Sequence, residues 1–368
     1  IVEPGVEFAD VFKLGLIENW TLNSCPGGMN VSIGGAVSNN VHGKDSWGNG
    51  NFGNQVLQIK ILLSDGSIKV ADRFTNERLF RAIIGGMGLL GIIVEIKLQL
   101  SKIPSPFVKE KSISVSNINE SLDYLDNFKD NNDFSVAWVD AFKTGNNLGR
   151  GFVTTAKWIE TEKKISKSYL NNSLKIPSKI FGVIPAKPFW YISRPLFRPL
   201  SIKNVNRLNY YLSKLKNKYF KEKFSLFTDY NFMHNKIPDL KHVYRPFGFL
   251  EFQPLIPKSS GRDAIQELFK ICQYYKSESL LCGVKLHRED DFLLSYSGEG
   301  YSVGIDLQIG GRNKEDIKNF SKVIFEYTLS CKGKIFLAKD ELLSGDYFKK
   351  MYPNYETFFK IKKELDPN

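Results

Sequence analysis

Two Gly-Gly pairs, Gly27-Gly28 and Gly34-Gly35, fall within PGGMNVSIGGAVSNNVHGKD, and the second opens a small, polar run ending in His42-Gly43-Lys44. A backbone this bare accepts conformations and close approaches that side chains forbid. Unpaired N–H groups in such turns form an anion-binding nest. Ser38, Asn39 and Asn40 add short hydrogen-bonding side chains. Two readings follow from spacing: the turns grip a diphosphate from both sides, or they are tight turns of a β-rich domain. No GxGxxG opens a helix and no Walker A pattern occurs, so neither a Rossmann fingerprint nor a P-loop accounts for the stretch.

With 368 residues, the chain has enough material for about two domains. No run of eighteen apolar residues and no signal-peptide pattern is present. Because the chain starts at Ile1 rather than Met, both ends of a longer natural protein are expected to lie outside it. Cys25, Cys272, Cys282 and Cys331 form no zinc spacing and read as free thiols. His42, His234, His242 and His287 show no HExxH-like pairing, so no metal site is expected. A formal charge of +12 fits nucleic acid, anionic lipid, a phosphorylated substrate or a merely solvated surface. No zinc-finger or RNP pattern supports nucleic acid, and none is expected as a partner.

Three textures divide the chain. In the first, to residue 104, Asn54–Ile61 and Ser67–Ala71 flank Ser64-Asp65-Gly66, a hairpin signal. Thr75–Ile84 reads as a helix capped by Thr75 or Asn76 and stopped by Gly85-Gly86. Ile92–Leu100 alternates, with Ile92, Val94, Ile96, Leu98 and Leu100 on one face. In the second, residues 105–331, Ser135–Phe142, Phe249–Ile256, Leu281–His287 and Tyr301–Ile309 read as strands. Asp263–Tyr275 and Asp316–Leu329 read as amphipathic helices. The order predicts an α+β fold with a mixed or antiparallel sheet covered by helices on one side. Residues 166–223 interrupt it. They carry Pro, Phe, Trp and basic residues without a clear period, as a mobile loop, a lid or an interfacial patch would. The third, 332–368, contains GKIFLAKD, read as a strand ending in Lys-Asp.

The ordered segments PGGMNVSIGGAVSNNVHGKD, FGNQVLQIKILLSDGSI and LFRAIIGGMGLLGIIVEIKLQL resemble the flavin-binding domain of the vanillyl-alcohol-oxidase (PCMH-type) flavoproteins. SVAWVDAF, GFLEFQPLIP, GVKLH, YSVGIDLQI and IFLAKD…MYP continue the resemblance along nearly the whole chain, towards members that oxidise lipid-linked sugars. It implies an FAD-binding domain from residues 1–104 and 332–368, and a substrate domain over 105–331 with an insertion at 166–223. The family's flavin domain begins with a further half that this sequence does not contain, and that half is expected to have been lost from it.

Residue by residue, the resemblance lays Gly27, Ser32, Ile33, Gly34 and Gly35 along FAD. Asn39, Asn40, Val41 and His42 run beside its diphosphate and ring. Ile92 or Ile93 meets the adenine end, and Phe336 lies near the flavin. His42 links covalently to flavin in some members and not in others; the sequence leaves both open. Lys339 in AKD faces flavin and sugar, and could polarise the reacting hydroxyl, while Lys285 in GVKLH is a pocket lysine suited to a phosphate or sugar oxygen. Read from the residues alone, each lysine is equally a solvated or snorkelling side chain. Lys44, Trp138, Tyr230, Glu251, Gln253, His287 and Ser302 complete the implied substrate pocket, Glu251 and Gln253 sharing one strand face by the two-residue period. Glu251 stands where the pattern has Gln, His287 where it has an aromatic, and Ser302 and Gly304 where it has bulkier residues.

The resemblance therefore implies an FAD-dependent oxidoreductase that takes a hydride from a secondary hydroxyl of a glycosyl polyprenyl phosphate, giving a 2-keto sugar. An NAD(P)H-dependent reductase would complete an epimerisation used in cell-envelope polysaccharide synthesis. The expected location is the cytoplasm, at most peripheral to a membrane. The alternatives are a small alditol or aldonolactone oxidase of the same fold and a flavin-free binding protein.

Overall fold

A computed structural model describes residues 1–180, 182–219, 222–236, 240–280 and 282–367. Phe181, Phe220 and Lys221 of the 166–223 segment, and Leu281 at the expected start of a strand, lie outside these residues.

The hairpin forms as predicted. β1 (Val56–Leu62) pairs with β2 (Ile68–Asp72), and Gly66 takes φ +81° in the turn, where Asp65 accepts from the Ser67 amide at 2.9 Å. β3 (Ile92–Leu98) lies on the other side of β1. Its single apolar face is a correction. Lys60 pairs with Glu95 but Ile61 pairs with Ile93, so Val94 is an extra residue. That bulge turns Ile93 into the core and leaves Ile92 66% exposed. Leu100 belongs to a separate short strand, Leu100–Lys102.

The second glycine pair is also corrected. Gly34-Gly35 does not make a turn after a strand; it lies in the first turn of α2 (Ile33–Ser38), which follows α1 (Phe8–Gly15) and whose N-cap Ser32 accepts from the Gly35 amide at 3.2 Å. Gly34 has no room for a side chain, since a Cβ there would lie 2.7 Å from Pro4. The amides of Ile33 and Gly34 donate to Val6 and Pro4 carbonyls, both at 2.8 Å. The glycine therefore admits the turn at Pro4-Gly5. α3 (Glu77–Ile83) follows Asn76, whose side chain donates to the Val70 carbonyl rather than capping the helix.

The larger sheet is antiparallel throughout. It contains β4 (Phe107–Val115), β5 (Phe134–Val139), β6 (Gly151–Trp158), β7 (Lys223–Leu226), β9 (Pro254–Pro257), β10 (Cys282–His287), β11 (Gly300–Val303) and β13 (Lys334–Ile335), in the order β7-β4-β6-β5-β10-β11-β9-β13. Three helices pack over it or on one another: α4 (Ile118–Phe128), α7 (Arg262–Tyr274) and α8 (Lys314–Ser330). They bury the predicted stripes, including Leu268, Phe269, Phe320 and Ile324, each contributing roughly 1.5–3 kcal/mol.

Two predicted continuous strands are broken. Phe249–Ile256 divides at Gln253 into β8 (Phe249–Phe252) and β9, and Tyr301–Ile309 divides at Gly304 into β11 and β12 (Ile305–Gln308). β8 pairs with β12 in a sheet of its own, whereas β9 and β11 pair inside the large sheet. The two breaks lie opposite one another, between the Phe252–Ile305 and Leu255–Ser302 pairs, so the paired strands change sheets together.

Residues 166–223 are mostly helical, which corrects the aperiodic-loop reading. They contain Lys167–Ser173, α5 (Ala186–Ser193) and α6 (Pro199–Tyr219). GKIFLAKD is a strand only at Lys334–Ile335; Leu337–Lys339 is a single 3₁₀ turn. The chain ends with α9 (Tyr355–Leu365) returning to the first region, where Ser64 donates to the Leu365 carbonyl at 2.7 Å and Arg78 pairs with Glu364 at 3.3 Å.

Candidate active site

His42 is the hub of a buried cluster. Its ring lies 4.7 Å from that of His287, 5.2 Å from Phe336 and 5.6 Å from Tyr296. Gln253, at the sheet break, places its amide nitrogen 3.0 Å from His42 Nε2. An amide nitrogen only donates, so His42 accepts at Nε2 and carries its proton at Nδ1. His287 Nε2 and Ser302 Oγ are 2.8 Å apart across β10 and β11. Burial holds His42 well below the usual imidazole range, helped by the charges of Lys285, His287 and Lys339. Burial, then Lys285, pushes His287 down to about 3. Both rings are therefore neutral at ordinary pH.

The rim of the cluster is charged. Lys339, in its 3₁₀ turn, is ion-paired and hydrogen-bonded to Glu251 on β8. Glu251 stands opposite Asp306 in the β8–β12 ladder, and Asp306 accepts from the Tyr244 hydroxyl at 3.3 Å. Burial, then the nearby Glu251, pushes Asp306 up to about 7. Lys285 on β10 lies opposite Ser302, and Gly283 on the same strand face lies opposite Trp138. Burial and then Lys339 lower Lys285 to about 8. Lys285 keeps partial solvent contact while lying within the field of three other site groups.

Beyond His42, Lys44 is buried and donates to the Tyr230 carbonyl at 2.6 Å, with its ammonium 4.1 Å from the Tyr230 ring centroid. Burial, then Lys285, lowers it to about 7. Asp45 is buried and accepts from the Cys25 amide and the Ser24 hydroxyl, both at 3.1 Å, and burial raises it to about 7. Two wide surface concavities, of about 540 and 610 Å³, are lined by Phe107, Lys163 and Phe224 and by Asp263, Lys270 and Tyr327; neither includes the cluster.

The structure thus brings His42, Lys285, His287, Gln253, Ser302, Phe336, Lys339 and Glu251 together, with Lys44 and Tyr230 beside them. It does not leave Ser32–Val41 as a nest. The amides of Ile33, Gly34, Gly35, Asn39, Asn40 and Val41 are all bonded within the protein. Asn39 donates its side chain to Gly35. Asn40 donates to Asp290 and Ser295 at 2.9 and 2.7 Å and accepts from the Gly53 amide at 2.8 Å, so it positions the 290–297 loop. Ile92 and Ile93 sit in the β1–β3 ladder, just after a loop whose Met87 amide donates to the Ser38 carbonyl at 2.8 Å.

Sequence reading missed Tyr296, Asp45 and Asp306. Tyr296 is held from its backbone, its carbonyl accepting from Asn51 at 2.9 Å. No local pattern marks it; Asp45 alone carried a signal, as the residue directly after HGK.

Among the described residues, the amides of Gly27, Gly28 and His42 take no hydrogen bond. Four buried side-chain atoms around His42 also lack partners: His42 Nδ1, His287 Nδ1, Gln253 Oε1 and the Tyr296 hydroxyl. Buried polar atoms are rarely left unpaired, and several in one place mark a ligand's position. An apolar and aromatic cluster with unpaired polar atoms fits a planar, polar heterocycle. The diphosphate end fits the Gly27-Gly28 amides and not the interior of α2.

Residues 1–72 match the FAD binding domain family. Over its whole length the chain is 24% identical to decaprenylphosphoryl-beta-D-ribose oxidase of Mycolicibacterium smegmatis, covering 77% of that protein. It is 23% identical, again over its whole length and 77% of the relative, to L-gulonolactone oxidase of Bos taurus. Over 34% of the chain it is 25% identical to cytokinin dehydrogenase 2 of Arabidopsis thaliana, covering 28% of that protein.

Proposed function

We propose that the chain is an FAD-linked oxidase of the vanillyl-alcohol-oxidase type and that it oxidises a secondary hydroxyl of a polyprenyl-phosphate-linked pentose to a 2-keto sugar. The observation that carries this reading is the lysine-lined rim, Lys285 and the Lys339–Glu251 pair, set against the buried His42 cluster. FAD supplies the acceptor for the hydride that leaves the carbinol carbon. Lys285 Nζ, neutral in part near pH 8, takes the hydroxyl proton as the carbonyl forms. Lys339, paired with Glu251, meets the oxygen on which negative charge grows. His42 stays neutral, and Gln253 fixes its tautomer. Lys44, Trp138, Tyr230, His287 and Ser302 line the pocket.

In this reading residues 1–104 and 332–368 form the flavin side and 105–331 the substrate side. A reductase using NAD(P)H would return the ketone from its other face, so that the pair inverts the sugar carbon. The substrate is presented from a membrane surface; no helix among the described residues is long and apolar enough to cross one.

The test is the visible spectrum of the FAD-loaded protein without oxygen, before and after a ribosyl polyprenyl phosphate is added. Bleaching of the flavin band is expected. An unchanged band that small aldonolactones bleach instead would transfer the assignment to the L-gulonolactone oxidase-like alternative, which the equal span of that similarity favours.

A further inference from the structure

Helix α6 (Pro199–Tyr219) is built inside out. A surface helix ordinarily turns its apolar stripe to the core and its polar face to water. Here the side towards the protein is mostly polar. Asn206 donates to Asp140 at 3.4 Å, Asn217 donates to Ser114 at 2.9 Å, and Arg150 stands 4.9 Å from the Tyr210 ring centroid; among its described side chains only Ile202 is a buried aliphatic. The outward side carries the leucines. Leu200 is 83% exposed and Leu208 61%, with Leu212 and Leu215 continuing the row. Just upstream, Ile192 is 80% exposed. Apolar groups clustered in this way on a surface mark an interaction site.

Charge identifies the partner. From Lys163 to Lys221 there are 14 Lys and Arg and no Asp or Glu, leaving 37 basic against 39 acidic residues elsewhere. The chain's whole positive surplus therefore sits in this segment. Lys203, Arg207, Lys214 and Lys216 are exposed on the same helix, Lys203 with its ammonium 5.6 Å from the Phe142 ring centroid. Long cationic stems can lie along an apolar surface while their heads reach phosphate. Nucleic acid would use the cations but gains little from aliphatic side chains; a bilayer surface uses both.

We propose that the outward face of α6, with the α5 end at Ile192, docks on a membrane surface containing anionic lipid, its leucines entering the headgroup layer and its lysines and arginines pairing with lipid phosphates. This deepens the functional reading, on which it rests for its purpose, since a polyprenyl-phosphate substrate occupies the same surface. The docking itself is read from α6 alone.

The test uses the full chain and vesicles that contain no sugar. Co-sedimentation is measured with phosphatidylcholine alone and with added phosphatidylglycerol. At low salt, binding to anionic vesicles is expected to exceed binding to neutral ones by about tenfold, and to fall as salt rises. Leu208→Ser, Leu212→Ser and Leu215→Ser combined should lose about tenfold in binding, with melting temperature and flavin absorbance unchanged. K203Q, R207Q, K214Q and K216Q combined should abolish the lipid preference. Equal binding to both vesicle types overturns the proposal, as does a leucine variant that binds like the wild type. A wild-type dimer that the leucine changes turn into monomer, without vesicle binding, would assign the face to a second copy. DNA binding indifferent to the leucine changes, again without vesicle binding, would assign it to nucleic acid. Docking without turnover of the lipid-linked pentose would defeat the substrate assignment and leave this one standing.

Discussion

Lys285 sits mid-strand yet faces polar company: Ser302 across the ladder and the charges of Lys339, Asp45 and Glu251 nearby. Its lowered value, about 8, gives a test with a definite sign. The neutral amine is the working form, so kcat/KM should rise as pH increases through about 8 and level off above it. Lys285→Met should lower kcat/KM by about 100-fold or more and remove that limb, with flavin content unchanged. A pH profile that keeps its limb in Lys285→Met would assign the base elsewhere. At this scale the candidate site was legible where the chain carries motif: His42, Lys285, Lys339, Glu251 and Gln253 each lie in a short quotable string. Tyr296 and Asp306 were not, because a side chain placed by tertiary hydrogen bonds leaves no local spacing to read. Asn40 was misread for a related reason: its side chain is equally suited to a ligand and to Asp290.

At the scale of elements, hydrophobic period located the helices Arg262–Tyr274 and Lys314–Ser330 and the strands Val56–Leu62, Ile68–Asp72, Ile92–Leu98 and Cys282–His287 to within a residue or two, but not Phe107–Val115 or Gly151–Trp158. It failed at breaks. Gln253 and Gly304 continue their alternation while the strands change sheets, and the bulge at Val94 reverses a face without altering composition. It also failed at α6, where the inward residues are polar. The glycines mark close approaches instead. A Cβ on Gly43 would lie 2.0 Å from the Cys25 carbonyl oxygen and 2.7 Å from Asp45. Gly43→Ala should therefore cost about 1–3 kcal/mol in chemical denaturation and reduce bound flavin at purification, because Gly43, which would push the Cys25 segment aside, directly follows His42. Unchanged stability would show that the Cys25 segment yields freely.

At the scale of the whole molecule, the last segment ties the parts together. β13 joins the large sheet beside β9, whereas α9 packs near α3 and buries Phe358 close to Gly86. Phe358→Ala should lower global stability by about 3–5 kcal/mol. Flavin release and loss of tryptophan signal should still fall in one transition on heating. Two separated transitions would mean that the flavin side melts alone. This tie was illegible in the sequence, since nothing in MYPNYETFFKIKKELDP says which distant surface its apolar stripe will meet.

The uneven spread of charge has a mechanical consequence. The body outside residues 163–221 is close to electrical balance, while that one segment holds the entire excess. In the field of a negatively charged plane such a molecule feels a torque as well as a pull. It rotates before it touches, so most encounters begin with α6 leading, and the search over orientations is shortened before any contact forms.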